Sequence, residues 1–411
     1  MTTLPRRPLI FVCANFPWPL HQGVKLRLYH IIQVLATEHE IHLIALTDIH
    51  QDLLGESGLA AVCKSVRLVP LASAHFLREN AFPIWNPRLS VRLRQLLIDP
   101  LPSSVRGYHS ADFVAALGAL RDECGDVSVW ADAAACAEMA IEAGFSRVLV
   151  DYDDIESEQA SRGLALLPWR IGRLLATFDV IKTRRYERAM VRKFSAVVIA
   201  RSQDDHHFGR DTTRLHVVPN GVLHAEEVGS SAMVDTLLFV GSFGWPPNSE
   251  AVEWMVHDVM PRILAERPGV RFVAVGQRGD SDWVTRMRAL GAEIHESVES
   301  LVPFYSDATV VVAPLRRGSG TKLKVLEAMM LGRPILATPV AMEGIEAQHD
   351  DAVLVAESAE DFAASALRLL GDRELRDRLK NRARTIAEAQ YSWKTISHSI
   401  LSAAASPISA R

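Results

Sequence analysis

Short apolar runs recur along this chain, each followed by a polar turn and then by a stretch with helical spacing. Residues 9–13, LIFVC, are the first run, uninterrupted by polar positions, as expected for a strand buried on both faces of a parallel sheet. Residues 15–23, NFPWPLHQG, read as a turn-rich loop. In 25–36, Leu28, Ile31, Ile32 and Leu35 fall on one face of a helix, and 41–46 is the next strand. This β-loop-α-β start favours a doubly wound sheet. Further strands are predicted at 66–70, 127–130, 147–151, 195–200 and 216–219. The stretch 74–109 mixes Arg78, Arg88, Arg92, Arg94 and Arg106 with apolar side chains and gives no clean element.

After a polar segment at 221–235, read as an interdomain linker, the alternation restarts. A strand at 237–240 ends in Gly241-Ser242-Phe243-Gly244, and Asn248 is placed to cap a helix over 249–266. Strands follow at 270–276 and 292–295, with helices at 282–290 and 300–305. The strand 309–313 runs into Arg316-Arg317-Gly318-Ser319-Gly320, and a helix is predicted to start at Thr321, with Lys322 and Lys324 in its first turn and Glu327 in its second. Gly332 and Pro334 stop it before a strand at 335–338. A strand at 352–355 and helices from 360 onward close the series. An amphipathic helix over 391–404 has nothing left to pack on in the second sheet and is expected to cross back to the first domain.

With 411 residues and 48% hydrophobic content, two domains are expected. A formal net charge of −4 gives no global sign of nucleic-acid binding. The four cysteines lie far apart without a CxxC pair, which suits reduced thiols and argues against a zinc site or a disulfide frame. No run of about 18 apolar residues predicts a membrane span.

The sharpest chemical signal is the loop 316–320 with the helix start after it. Glycines allow close backbone approach, and a helix N-terminus offers unpaired N–H groups to an anion. A phosphate at Gly320 and Thr321, with Lys322 beside it, is one reading; an ordinary α/β turn with solvated lysines is the other. Gly23, Lys25 and Arg27, after the first strand, could touch a ligand or simply form an exposed basic helix start. The acidic run Asp151, Asp153, Asp154, Glu156 and Glu158 suits helix capping and loop polarity better than catalysis. His206 and His207 lack partners at ligand spacing, so no metal is assigned. Residues 162–193 carry nine basic residues against two acidic, interleaved with Leu164, Leu166, Leu167, Trp169, Ile171, Leu174 and Leu175. That pattern fits an interfacial helix on anionic lipid or a core-packed helix with a solvated cationic face.

The motifs Phe239-Val240-Gly241-Ser242, Pro247-Asn248, Val275-Gly276, Ala313-Pro314-Leu315, Gly318-Ser319-Gly320, Lys322 to Met329, Gly332-Arg333-Pro334 and Glu343-Gly344 together resemble the retaining glycosyltransferases of family four. The two halves, joined after Pro219-Asn220-Gly221-Val222, resemble the GT-B architecture, two doubly wound Rossmann-like α/β domains facing across a cleft. The expected division is 1–220 for an acceptor-binding domain, 221–390 for a nucleotide-sugar-binding domain and 391–411 for the crossing helix.

The resemblance implies a metal-independent hexosyltransferase-like enzyme without a cofactor, whose UDP- or GDP-linked donor is a substrate. By position, Glu327 would bind the ribose. Lys322, with the N–H groups of Gly320 and Thr321, would neutralise the departing diphosphate. Gly241 and Ser242 would line its other side, and Gly318, Ser319 and Leu323 complete the donor-binding set. Gly23 and Lys25 would form an acceptor or phosphate loop. The implied acceptor is a cell-envelope, polysaccharide or lipid-linked glycan. The implied location is the cytoplasm, with the inner membrane face reached through 162–193.

Three positions depart from the family pattern. Ser319 stands where many members carry a glutamate that contacts the sugar. The loop 243–247 lacks the arginine that other members place after the first strand of the second domain, which shifts phosphate charge onto Lys322. Asp132 occupies the loop where a catalytic histidine is often found. A sugar-nucleotide epimerase and a catalytically silent sugar- or partner-binding module are the alternatives.

Overall fold

The computed structural model describes residues 6–20, 22–47, 52–70, 101–164, 170–227, 234–277, 279–318 and 320–405. The chain divides into two compact units, one of residues 1–219 and 397–411, the other of 220–396.

Among the described residues the first unit holds seven strands: β1 (Arg7–Cys13), β2 (His39–Leu46), β3 (Ser65–Val69), β4 (Ser128–Asp132), β5 (Val148–Tyr152), β6 (Ala196–Ile199) and β7 (Leu215–Val217). They pair in the order β3-β2-β1-β4-β5-β6-β7, parallel throughout. Successive strand residues point to opposite faces. Ile10, Val12, Val129, Ala131 and Val150 therefore share one face, where they pack with Phe113, Leu117, Cys136 and Met139. The helix Gly23–Leu35 starts two residues before its predicted beginning and buries Leu28, Ile31, Ile32 and Leu35, the face its spacing predicted. Of the stretch 74–109, residues 71–100 lie outside the described residues.

The helix Arg170–Lys193 buries Ala176, Val180, Thr183, Glu187, Met190 and Val191. One face is core, while Leu174, Phe178 and Ile181 are 57%, 51% and 40% exposed in line with Arg185, Arg188 and Arg192. Leu166, Leu167 and Trp169 lie outside the described residues.

The second unit holds β8 (Thr236–Val240), β9 (Arg271–Gly276), β10 (Ala292–Glu296), β11 (Val310–Ala313), β12 (Ile335–Ala337) and β13 (Leu354–Val355). Their order is β10-β9-β8-β11-β12-β13, again all parallel. The helix predicted over 249–266 is one continuous rod with a π turn, Pro246–Trp254, Met255–Val259 and Met260–Glu266. Pro261, which has no N–H for the ladder, sits just after the wide turn. The start of the predicted linker is part of this unit: Val222 is buried and forms a parallel bridge with Ser392. Residues 228–233 lie outside the described residues. The last helix, Trp393–Ala404, begins in the second unit, and from 397 onward its residues group with the first.

Candidate functional site

In a doubly wound sheet, ligands bind beyond the carboxyl ends of the strands where strand order reverses. In the second unit that point lies between β8 and β11. On the β8 side the chain turns at Gly241, whose N–H donates to Val275 O at 2.9 Å. The Ser242 hydroxyl and the Phe243 N–H both reach Gln277 O, and the Asn248 amide donates to Ser242 O at 2.8 Å. A Cβ on Gly276 would stand 2.0 Å from Gly241 O, so the close approach of these two strand ends requires glycine.

On the β11 side the loop after Ala313 passes through Gly318 and Gly320, with φ of 129° and 71°, in the region that favours glycine. Ser319 lies outside the described residues. The Arg317 guanidinium pairs with both carboxylate oxygens of Glu250, tying the loop to the helix Pro246–Trp254. The Thr338 hydroxyl donates to Leu315 O.

The helix begins at Leu323, two residues after the predicted start, because Lys322 is its N-cap, with φ −86° and ψ 90°. The Lys322 ammonium folds back onto Gly320 O at 2.6 Å and stands 4.0 Å from a Glu343 oxygen. It is 8% exposed. The Thr321 hydroxyl is buried without a hydrogen-bond partner among the described residues. Leu323 packs at the edge of the core. Glu327, on the second turn, receives a long hydrogen bond of 3.4 Å from the buried Tyr305 hydroxyl. Burial raises its carboxyl, while Lys324 and the Tyr305 hydroxyl pull it back. The buried Arg333 holds Tyr305 in place through its carbonyl, 2.9 Å away.

Sequence spacing read Lys324 as a first-turn lysine and gave it no role. Its ammonium lies against β8. It donates to Asn248 Oδ1 at 2.7 Å, stands 4.2 Å from the Phe239 ring centroid, and is 2.6 Å from where a Cβ on Gly241 would be. Burial lowers this amine from its ordinary value to about 7, with Lys322 adding to the effect and Glu327 opposing it. No signal inside the helix could have shown this, because the partners lie about 80 residues earlier.

The structure thus brings Gly241, Ser242, Gly318, Gly320, Thr321, Lys322, Leu323 and Glu327 to the carboxyl ends of neighbouring strands β8 and β11. Gly23 and Lys25 belong to the first unit. Gly23 opens the helix Gly23–Leu35, and the Lys25 ammonium donates to Trp18 O at 3.0 Å. Arg27 is 1% exposed and is no surface contact: it forms a two-pronged ion pair with Asp151, whose side chain is equally buried. Asp151 serves that pair rather than a helix cap, whereas Glu156 and Glu158 do lie in the first turn of the helix Glu156–Leu164. Asp132 is buried at the end of β4, and burial, with Asp153 and Asp151 nearby, pushes its carboxyl well up. Among the described residues no three His, Cys, Asp or Glu side chains group as a metal site. No helix among them is long and apolar enough to cross a membrane.

Residues 234–372 match the family of glycosyl transferases group 1. An uncharacterized 44.6 kDa protein in the cps region of Klebsiella pneumoniae is 26% identical over 135 residues, 31% of this chain and 35% of that protein. The match therefore spans about a third of that relative's length. Among solved structures, TarM of S. aureus superposes with a TM-score of 0.68 at 10% identity, over 99% of this chain and 100% of the other. Anabaena HepE in complex with UDP and glucose gives 0.65 at 14% identity, over 97% and 99%. A glycosyltransferase from Rickettsia africae gives 0.65 at 11%, over 97% and 98%. Likeness at such identities speaks for the fold. The chain has the GT-B fold, and its segment 234–372, which carries the glycine loop, Lys322 and Glu327, matches the family of glycosyl transferases group 1.

Proposed function

We propose that this protein is a retaining glycosyltransferase that moves a sugar from a UDP- or GDP-linked donor to a cell-envelope, polysaccharide or lipid-linked glycan acceptor. The observation that carries this reading is the convergence at β8 and β11 of a glycine-lined loop, a helix N-terminus, a buried lysine and a half-buried glutamate. In the proposed reaction Glu327 accepts hydrogen bonds from the ribose hydroxyls. The N–H groups of the 320–323 turn and Lys322 face the diphosphate, whose growing charge they stabilise as the sugar leaves. The Thr321 hydroxyl supplies a further donor there. Gly241 and Ser242 leave room for the diphosphate on the β8 side, and Gly23 and Lys25 serve the acceptor. No metal or cofactor takes part in this scheme. The ligands bound by HepE (UDP-glucose) and by TarM (UDP with a GlcNAc-glycerol), and the cps-region setting of the Klebsiella relative, support the choice of donor and acceptor class.

The exposed Leu174, Phe178 and Ile181 beside a row of arginines support work at an anionic membrane surface, the cytoplasmic face for a lipid-linked acceptor. Flotation with anionic liposomes at low salt tests this; protein left at the bottom of the gradient removes it.

The main test is a panel of UDP- and GDP-sugars read by thermal stabilisation, since a bound donor raises the melting temperature by mass action. The stabilising donor is then used in a transfer assay with and without glycan acceptors. Glu327→Ala and Lys322→Ala should each lower transfer by about 100-fold or more with folding retained. Full activity in both variants rejects the reading. Turnover without acceptor indicates an epimerase, and binding without turnover a silent module.

A further inference from the structure

The Lys324 ammonium stands at the β8 end of the site, against the space that the missing side chain of Gly241 leaves open. Its partners are one amide oxygen, Asn248 Oδ1, and one ring face, Phe239. It forms no ion pair with any described residue; Glu327, one turn along the helix, acts on it only at longer range. A partly buried cation without a counter-ion is expensive to keep unless an anion completes it. Lys322, in contrast, already has Gly320 O on its own loop and the Glu343 carboxylate beyond β12 as partners. The loop 243–247, which also borders the β8 end, contributes no basic side chain.

We propose that Lys324 is a second donor-phosphate contact, on the β8 side of the site: its ammonium leaves Asn248 and pairs with the diphosphate lying beside Gly241, across from Lys322 on the β11 side. This rests on the nucleotide-sugar reading above and adds to Lys322 a second cation that meets the leaving group.

A proton accompanies the contact. The groups acting on Lys324 are Glu327 and Lys322 on its own helix, with the uncharged Asn248 and Phe239 from the β8 side. In the free protein the amine sits at about 7, lowered by burial. A diphosphate beside it favours the ammonium and raises that value, so binding takes up a proton at pH 8. Affinity then falls as pH rises above 7. An intact nucleotide sugar has no phosphate proton to exchange in this range, so the uptake reports on the protein.

The test is calorimetry of the full chain with UDP-glucose and GDP-mannose, at pH 8, in buffers of different ionisation enthalpy. Lys324→Met should weaken the binding nucleotide sugar about 10- to 100-fold, the effect of losing one charged hydrogen bond. It should also abolish an uptake of about one proton per donor. Lys324→Arg, which keeps a charge that cannot be lost, should bind within about tenfold of the wild type without proton uptake. Wild-type binding with unchanged affinity and proton uptake in Lys324→Met overturns this assignment and leaves the nucleotide-sugar reading standing. Failure of the wild type to bind either probe overturns both.

Discussion

Replacing Arg27 by Met is the most informative test of how the first unit is held together. Arg27 lies on the helix Gly23–Leu35, with 1% of its surface exposed. Its Nε and Nη2 donate to the two Asp151 oxygens at 3.1 and 2.7 Å, and its Nη1 donates to Val218 O at 2.9 Å and Pro219 O at 3.3 Å. One side chain thus joins the first helix, the end of β5 and the segment after β7. Met conserves much of the volume but leaves the buried Asp151 charge without a partner. Removing one member of a buried pair costs about 3–5 kcal/mol, most of it the stranded charge. At about 2–4 °C per kcal/mol for units of this size, the melting temperature should fall by roughly 6–20 °C.

The deficit also has a predicted pH dependence. Arg27 helps to hold down the raised carboxyls of Asp132 and Asp153, the latter at about 7 through burial. Without Arg27 their protonated forms gain further, so the deficit should shrink as pH falls from 8 to 5. The assay is urea unfolding followed by far-UV circular dichroism, with Arg27→Met/Asp151→Leu as the second arm. The double variant should recover most of the loss, because no charge is left stranded. A single variant within about 1 kcal/mol of wild type, or a double variant weaker than the single, would refute the reasoning.

Two further outcomes follow from particular contacts. Gly276→Ala puts a methyl 2.0 Å from Gly241 O and should destabilise the second unit by about 3 kcal/mol in chemical denaturation, while pushing Gly241 out of the site and weakening donor binding. Glu156 is raised to about 7 by burial and receives the Ser104 hydroxyl. The folded protein therefore holds that proton over the window from about 4.3 to 7, and the stability it contributes is present below about 4.3 and lost as pH rises through 7. Glu156→Gln should flatten the melting-temperature profile across that window and raise stability at pH 8; an unchanged profile would count against a buried protonated carboxyl.

The two sheets could be read from the chain because most of the central strands are apolar runs closed by a turn, and runs such as 9–13 and 237–240 allow little else. The glycine loop and Glu327 could be read too, since their spacing is local. What escaped reading depends on partners distant in sequence. Arg27 looked like a solvated residue at a helix start, yet its counter-charge lies 124 positions later. Lys324 looked like a first-turn lysine without a role, beside a Lys322 assigned to phosphate; their surroundings are set by Gly320 O for Lys322 and by Asn248 and Gly241 for Lys324. The helix start moved from Thr321 to Leu323 for the same reason: the Lys322 side chain binds backward into the loop and its backbone stays extended.

The division of the chain sets an order of assembly. The second unit is a single uninterrupted segment, 220–396, whereas the first needs residues from both ends of the sequence. During synthesis the sheet β1–β7 is complete once residue 217 has emerged, but its share of the helix Trp393–Ala404, with Ile400 and Ala403 buried, arrives only after the whole second unit has been made. Apolar surface on the first unit must wait through that interval, and a nascent chain halted between 220 and 396 would expose it to chaperones or to aggregation. The same logic makes 220–396 the fragment to express alone, and a break at 219 one that leaves the first unit short of its last helix.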